Sequence, residues 1–256
     1  MAVTLTKTIS PNTWKIAFLF AFLALLVDGA DLMLLSYSLN SIKAEFGLSS
    51  VEAGMLGSFT LAGMAIGGIF GGWACDKFGR VRIVVISILT FSILTCGLGL
   101  THSFLEFGIL RFFASLGLGS LYIACNTLMA EYVPTKYRTT VLGTLQAGWT
   151  VGYIVATLLA GWIIPDHGWR MLFYVAALPI IMAVLMHFLV PEPEAWQTSR
   201  TLQPSQIEKQ QDSVFKTIFQ DKRNRNMFIL WALTAGFLQF GYYGVNNWMP
   251  SYLESE

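Results

Sequence analysis

The chain has 256 residues, of which 55% are hydrophobic and only 12% are charged, and its formal net charge is +1. A soluble domain carries roughly 25% charged residues, so this composition predicts an integral membrane protein. A net charge near zero provides no bulk attraction to nucleic acid, and no nucleic-acid partner is expected. The three cysteines and three histidines are scattered without metal-ligand spacing, so neither a metal site nor a cofactor is predicted.

Seven apolar segments are each long enough to cross the ~30 Å hydrocarbon core of a bilayer as a helix. Six of them precede a hydrophilic stretch that contains several prolines, lysines and arginines, and one follows it. This pattern predicts a six-helix part at 1–190, a cytoplasmic loop at 191–226 and a seventh helix at 227–256. The predicted spans are 16–39, 53–74, 83–100, 105–130, 140–164, 170–190 and 227–252.

The distribution of lysine and arginine predicts which side of the membrane each loop faces. Thirteen of these 16 residues fall on the side of the N-terminus and the long loop, two fall on the other side, and Arg111 lies within a span. Positive residues concentrate on the cytoplasmic side of a membrane, so the N-terminus and the long loop are predicted to be cytoplasmic. The chain is therefore expected to be a multi-pass protein of the inner (plasma) membrane.

Two aspartates interrupt the first span. The run Ile16–Val27 is wholly apolar, Asp28 and Asp31 follow it, and apolar residues resume at Leu32. A carboxylate in hydrocarbon costs at least ~2.5 kcal/mol and is tolerated where it faces a bundle interior or a water-filled path. Because residues three positions apart share one face of a helix, the two aspartates are predicted to form part of a functional site.

The loop between the second and third spans contains a Gly-x-x-x-Asp-Lys-x-Gly-Arg-x-Arg sequence, formed by Gly72, Asp76, Lys77, Gly79, Arg80 and Arg82. It resembles the signature of the major facilitator superfamily, which lies between the same two spans. Further elements are similar to those of this family: Arg111 before Gly117 and Gly119, Glu131 with Pro134 and Arg138, and the segments 168–170 and 191–196 that flank the sixth span.

The resemblance implies an all-α membrane protein with a major facilitator fold. The first six helices would form the N-terminal half, built from two inverted three-helix repeats, and the seventh would begin the C-terminal half. Members of the family have twelve spans and transport between their two halves, so the missing C-terminal half is expected to be needed for transport. A natural half-transporter that dimerises is the alternative.

Within the superfamily, the sequence Asp28-Gly-x-Asp31 resembles the aromatic acid/proton symporter branch, and the segments 28–40 and 241–250 are most similar to its cis,cis-muconate transporters. The resemblance implies a symporter that imports a small organic anion together with a proton. A carrier of a sugar or a dicarboxylate, a channel and a receptor are the alternatives. An intramembrane protease is disfavoured, because both aspartates lie on one helix and no hydrolytic triad is apparent.

Arg111 is predicted to pair with an aspartate of the first span, since both fall in the same outer-central layer of the ~30 Å core. A low dielectric favours a neutral acid, whereas a nearby guanidinium favours a charged carboxylate. An anionic substrate that draws Arg111 away would therefore couple substrate binding to protonation of Asp28 or Asp31. The sequence leaves open which aspartate carries the proton.

Two further groups of residues are predicted to act in transport. Aromatic faces beside amide donors suit a planar carboxylate, which predicts a substrate-binding surface in the fourth, fifth and seventh spans. Besides Arg111, its candidates are Tyr122, Asn126, Gln146, Trp149, Tyr153, Gln239, Tyr242, Tyr243, Asn246 and Asn247. The resemblance also implies a cytoplasmic gate formed by Gly72, Asp76, Lys77, Gly79, Arg80, Arg82, Glu131 and Arg138.

Overall fold

The computed structural model describes residues 13–199 and 219–255, and these ranges contain helices and turns but no strand. The all-α prediction is therefore confirmed for the described part of the chain. A short 3₁₀ turn at Thr135–Tyr137 precedes the fifth helix. The helices are α1 (Thr13–Phe46), α2 (Ser50–Phe78), α3 (Arg80–Leu98), α4 (Phe104–Tyr132), α5 (Arg138–Val175), α6 (Pro179–Leu189), α7 (Glu194–Ser199) and α8 (Lys222–Ser255).

Side-chain caps define where the second and fourth helices begin. At the start of α2, the Glu52 amide donates to the Ser49 hydroxyl at 3.2 Å, and the Ser49 amide donates to the Glu52 carboxylate at 2.9 Å. At the start of α4, the Glu106 amide donates to the Ser103 hydroxyl at 3.3 Å. Such caps satisfy amides that have no partner within the helix, so they fix short turns between long apolar helices.

A glycine separates the fifth span from the sixth. Gly168 lies inside α5 but has φ 74° and ψ 170°, a conformation that interrupts a helix and that glycine adopts without a steric penalty. The sixth span therefore begins at Trp169 and continues into α6. The six predicted spans before the long loop are all present, although α7 occupies part of the predicted loop and residues 200–218 lie outside the described ranges.

Two stripes of glycine allow close helix packing. Gly63, Gly67 and Gly71 of α2 lie against the backbone of α4, and Gly148 and Gly152 of α5 lie against the backbone of α1. A methyl group at any of these five positions would collide with the facing helix. Small residues at helix contacts compensate for the weak hydrophobic drive to association in lipid.

The described residues up to Pro193 form one compact unit, and those from Glu194 onward form another. In the first unit, α2 packs mainly on α4, α1 packs mainly on α5, and α3 packs on α4 and α6. Helices α1–α3 thus pack mainly against α4–α6, as expected for two inverted repeats related by an axis in the membrane plane. The second unit contains α7 and α8.

Candidate functional site

A buried ion pair joins the first helix to the fourth. Arg111 Nη1 donates to Asp31 Oδ2 at 2.7 Å, and both side chains are at most 1% exposed. Arg111 Nη2 donates to the Asp31 carbonyl at 3.2 Å, and Arg111 Nε donates to the Thr60 hydroxyl at 3.1 Å. The guanidinium therefore bonds through all three nitrogens, and the aspartate–arginine pair expected from the sequence is present.

The surroundings of the Asp28 carboxyl group differ from those of Asp31, although Asp28 lies only one turn earlier on α1. It is fully buried, and neither of its carboxyl oxygens has a hydrogen-bond partner among the described residues. Asp31 and Arg111 are its main charged neighbours. The two aspartates thus divide into one that is paired with a cation and one that is buried without a hydrogen bond.

Gly29, between the two aspartates, brings α1 against α5. A Cβ atom at this position would collide with the Trp149 carbonyl and lie 2.6 Å from the indole Cδ1. This contact places the Asp28 turn beside Trp149, whose ring centroid lies 6.2 Å from that of Tyr122. This role of Gly29 was not predicted, since a glycine beside two aspartates carries no signal for contact with a residue 120 positions away.

We expect Gly29→Ala to destabilise the full-length protein by about 1–3 kcal/mol, because the added methyl group must displace the Trp149 backbone. Gly143→Ala is the matched control, since nothing lies within 4 Å of a Cβ atom at that position of α5. The control should be neutral or slightly stabilising. Thermal unfolding of both purified variants tests this, and equal behaviour of the two would contradict the close contact at Gly29.

Polar and aromatic candidates of α4 and α5 lie together. The Tyr122 hydroxyl donates to Gln146 Oε1 at 3.1 Å, and Gln146 Nε2 donates to Asn126 Oδ1 at 2.8 Å. The Trp149 ring lies between Tyr122 and Tyr153, with the Trp149–Tyr153 centroids 5.7 Å apart. All five side chains are half-buried. The structure therefore brings the predicted residues of these two helices into one cluster, which we call the α4–α5 cluster.

The candidates on α8 belong to the second unit and stay a prediction. Gln239 and Tyr242 are exposed, and the rings of Tyr242 and Tyr243 meet edge to face with centroids 5.5 Å apart. The side chains of Asn246 and Asn247 lie outside the described ones.

The predicted gate residues gather around Arg80. Its side chain donates to Glu131 and Asp76 at 2.9 Å each, and to the Cys75 carbonyl at 2.9 Å. Lys77 lies over the rings of Trp73 and Phe78, 4.7 and 5.4 Å from their centroids. Of the other candidates, Gly72 is half-buried beside Ile123, Gly79 has φ 113° between α2 and α3, and the side chains of Arg82 and Arg138 are exposed.

Glu192 is an additional member of this cluster that was not identified from the sequence as a gate residue. Its carboxylate accepts hydrogen bonds from the amides of Val81 and Arg82 at 3.0 and 2.9 Å, at the start of α3. A Cβ atom on Gly79 would collide with that carboxylate. Carboxylates stabilise helix N-termini by binding free amides. The segment after α6 is thereby attached to the start of α3.

A third charged cluster lies at the end of the bundle opposite to the Arg80 cluster. Glu45 Oε2 accepts hydrogen bonds from Trp169 Nε1 at 2.7 Å and from Arg170 Nη1 at 2.5 Å. Arg170 also donates to the Thr101 carbonyl at 2.9 Å, and its guanidinium lies 4.4 Å from the Trp169 ring centroid. The Gly-Trp-Arg element noticed in the sequence thus connects the end of α1 to the turn between α3 and α4.

The sequence is similar to those of known transport proteins. A sequence model of the Major Facilitator Superfamily matches residues 21–256. The chain is 88% identical to the "Cis,cis-muconate transport protein" of Acinetobacter baylyi over 97% of its length and 60% of that protein. It is 30% identical to a "Putative metabolite transport protein" of Haemophilus influenzae, over 98% of this chain and 62% of that one. The chain thus spans about 60% of the length of the curated relatives it matches.

Solved structures share the same fold. One is a bacterial homologue of the human lysosomal transporter Spinster in an inward-facing conformation. The match covers 96% of this chain and 56% of the homologue, with a TM-score of 0.77 and 23% identity. The proton:xylose symporter XylE matches 74% of this chain and 47% of its own, with a TM-score of 0.66 and 24% identity. The matching family and the 88% identical relative are transporters and not enzymes, which excludes the protease alternative. The chain is therefore a multi-pass membrane protein that belongs to the major facilitator superfamily.

Proposed function

We propose that the full-length protein is a proton-coupled symporter that imports an organic carboxylate, with cis,cis-muconate or a related ring-cleavage or aromatic acid as substrate. The observation that carries this proposal is Asp28, a fully buried acid that has no hydrogen bond within the described residues and lies beside a closed Asp31–Arg111 pair. Ionisable groups inside a membrane mark ion and proton pathways. The 88% identical relative is named for muconate transport, which supports the substrate class.

Asp28 is the proposed proton carrier. An isolated buried charge is strongly unfavourable, so Asp28 is expected to be neutral while Arg111 is held by Asp31. Loss of its proton would make Asp28 compete with Asp31 for the single guanidinium, because the two acids lie one turn apart on α1. Proton release therefore requires a rearrangement around Arg111, and this requirement is the proposed link between proton movement and transport.

Direct contact between Arg111 and the substrate remains part of the proposal, but it requires the pair to open. In the described conformation Arg111 is fully buried and bonds to Asp31 and Thr60. We propose that the Arg80 cluster lies on the cytoplasmic side of the inner (plasma) membrane with the N-terminus. There it would act as a gate that closes the inner path.

Uptake of labelled cis,cis-muconate into vesicles that contain the full-length protein tests the proposal. We expect an inwardly directed proton gradient to drive accumulation above the external concentration, and an uncoupler to abolish it. Empty vesicles provide the background. Accumulation that is independent of the gradient would contradict symport, and uptake of neutral sugars alone would contradict the proposed substrate class.

A further inference from the structure

The side chains of Tyr122, Gln146 and Asn126 form a series of hydrogen bonds in the α4–α5 cluster, and this series has a fixed donor-to-acceptor direction. Asn126 Nδ2 donates to the backbone carbonyl of Tyr122 at 2.8 Å, and a carbonyl oxygen can only accept. The Asn126 amide oxygen must then face Gln146, which donates to it through Nε2. Gln146 Oε1 consequently faces Tyr122, whose hydroxyl must donate. One backbone acceptor thus determines the orientation of both amides and of the phenol proton.

The direction of these hydrogen bonds determines which donor groups remain available to a ligand. A side-chain amide carries two N–H groups, and the series uses one on Asn126 and one on Gln146. Within the described residues, neither remaining N–H group has an acceptor, and both side chains are half-buried. The proton of Tyr122 is committed to Gln146. Two adjacent amides therefore offer N–H donors, while both amide oxygens are already occupied.

The neighbouring groups favour an anion with a flat apolar body. The rings of Tyr122, Trp149 and Tyr153 lie next to one another, with successive centroids 6.2 and 5.7 Å apart. Arg111 is fully buried and bonded through all three nitrogens, whereas the two amides are only half-buried and each retains one N–H group. Pockets for small ligands commonly combine apolar walls with a few oriented polar groups.

We propose that Asn126 and Gln146 form an anion subsite that selects a carboxylate through these two N–H groups. This inference rests on the proposed function and names the residues that recognise the charge of the substrate. Neutral donors can hold an anion without forming a lasting ion pair, which favours release. Asp28 directly precedes Gly29, which packs against Trp149 next to Tyr122. A charged Asp28 would therefore repel an anion in the subsite, and a neutral Asp28 would permit its binding.

Equilibrium binding to the full-length protein in nanodiscs tests the subsite, with calorimetry of cis,cis-muconate and its uncharged diamide. The two ligands share one skeleton, so their affinity ratio reports recognition of the charge. We expect the wild-type protein to prefer muconate by about tenfold or more, the typical effect of a charge-assisted hydrogen bond. Equal affinity for both ligands would overturn the inference without any variant.

Two variants with uncharged, apolar side chains remove the N–H donors of Gln146 and Asn126. Gln146→Met and Asn126→Leu should each lower the muconate-to-diamide ratio towards one. Thr144→Val is the control, because its exposed hydroxyl donates only to the Thr140 carbonyl of the same helix. If the hydrogen bonds of Tyr122, Gln146 and Asn126 only hold α4 against α5, each variant would lower the affinity for both ligands equally and leave the affinity ratio unchanged. That result would overturn the subsite.

Failure of the subsite and failure of symport give different results. Muconate preference without gradient-driven uptake would overturn symport and retain the subsite. Gradient-driven uptake with an unchanged ligand ratio in both donor variants would retain symport and overturn the subsite. If the wild-type protein binds no muconate, the subsite is overturned, and gradient-driven uptake of the related ring-cleavage and aromatic acids then decides symport.

Discussion

Asp28→Asn in the full-length protein is expected to reduce concentrative uptake of muconate to the background of empty vesicles while exchange across the membrane continues. Asparagine resembles the neutral acid in shape and cannot release a proton, so the variant should stay in one protonation state. Exchange needs no net proton movement and should survive. Uptake and counterflow measured in the same vesicles test this, and full concentrative uptake would exclude Asp28 as the proton carrier.

Asp31→Asn provides the contrast to Asp28→Asn. It removes the only carboxylate that bonds to Arg111 in the described part of the chain and leaves a buried cation without an ion-pair partner. Breaking a buried pair in this way costs about 3–5 kcal/mol. We therefore expect Asp31→Asn to lose both transport and thermal stability, whereas Asp28→Asn keeps its stability. Equal stability of the two variants would contradict the different roles assigned to the two acids.

Arg111→Lys is expected to remain folded but to lose most transport. An ammonium can pair with Asp31, but it cannot reproduce the planar fork that also bonds to the Asp31 carbonyl and the Thr60 hydroxyl. The loss of these bonds should cost about 1.5–3 kcal/mol of stability. Wild-type affinity and rate in the lysine variant, measured by uptake, would show that the charge alone is sufficient.

A double variant separates the charge of the pair from its function. Asp31→Asn combined with Arg111→Gln removes both charges and leaves neutral groups that can bond to each other. Removing only one member of a buried pair leaves an uncompensated charge, and removing both charges avoids that cost. The double variant should therefore be more stable than Asp31→Asn alone and still fail to transport. Restored transport in the double variant would assign the pair a purely structural role.

The sequence was most informative where polar residues interrupt apolar segments. Asp28, Asp31 and Arg111 stand out against long hydrophobic runs, and depth along the helices was sufficient to predict an aspartate–arginine pair. The glycine stripes of α2 and α5, with members spaced four residues apart, lie where these helices meet α4 and α1 most closely. The spans were predictable for the same reason, because hydrocarbon thickness sets the length of each apolar segment.

Features that depend on one atom meeting another could not be predicted. Asp28 and Asp31 share a helix face, so the sequence did not show that Arg111 pairs with Asp31 rather than with Asp28. Glu192 binds the start of α3 more than 100 positions away, and only the fold brings these groups together. The direction of the chain through Tyr122, Gln146 and Asn126 likewise depends on a backbone carbonyl that no sequence motif identifies.

The Asp31–Arg111 pair also has a consequence for biogenesis. Its two members are 80 residues apart in the chain, so at a synthesis rate of about 5–20 residues per second the aspartates precede their arginine by roughly 4–16 s. During this interval the first helix must stay in the bilayer through its apolar residues alone, and the wholly apolar run Ile16–Val27 is suited to this. We expect the arrival of the fourth helix to pair Asp31 with Arg111, so insertion of α4 should stabilise the first helix in the bilayer.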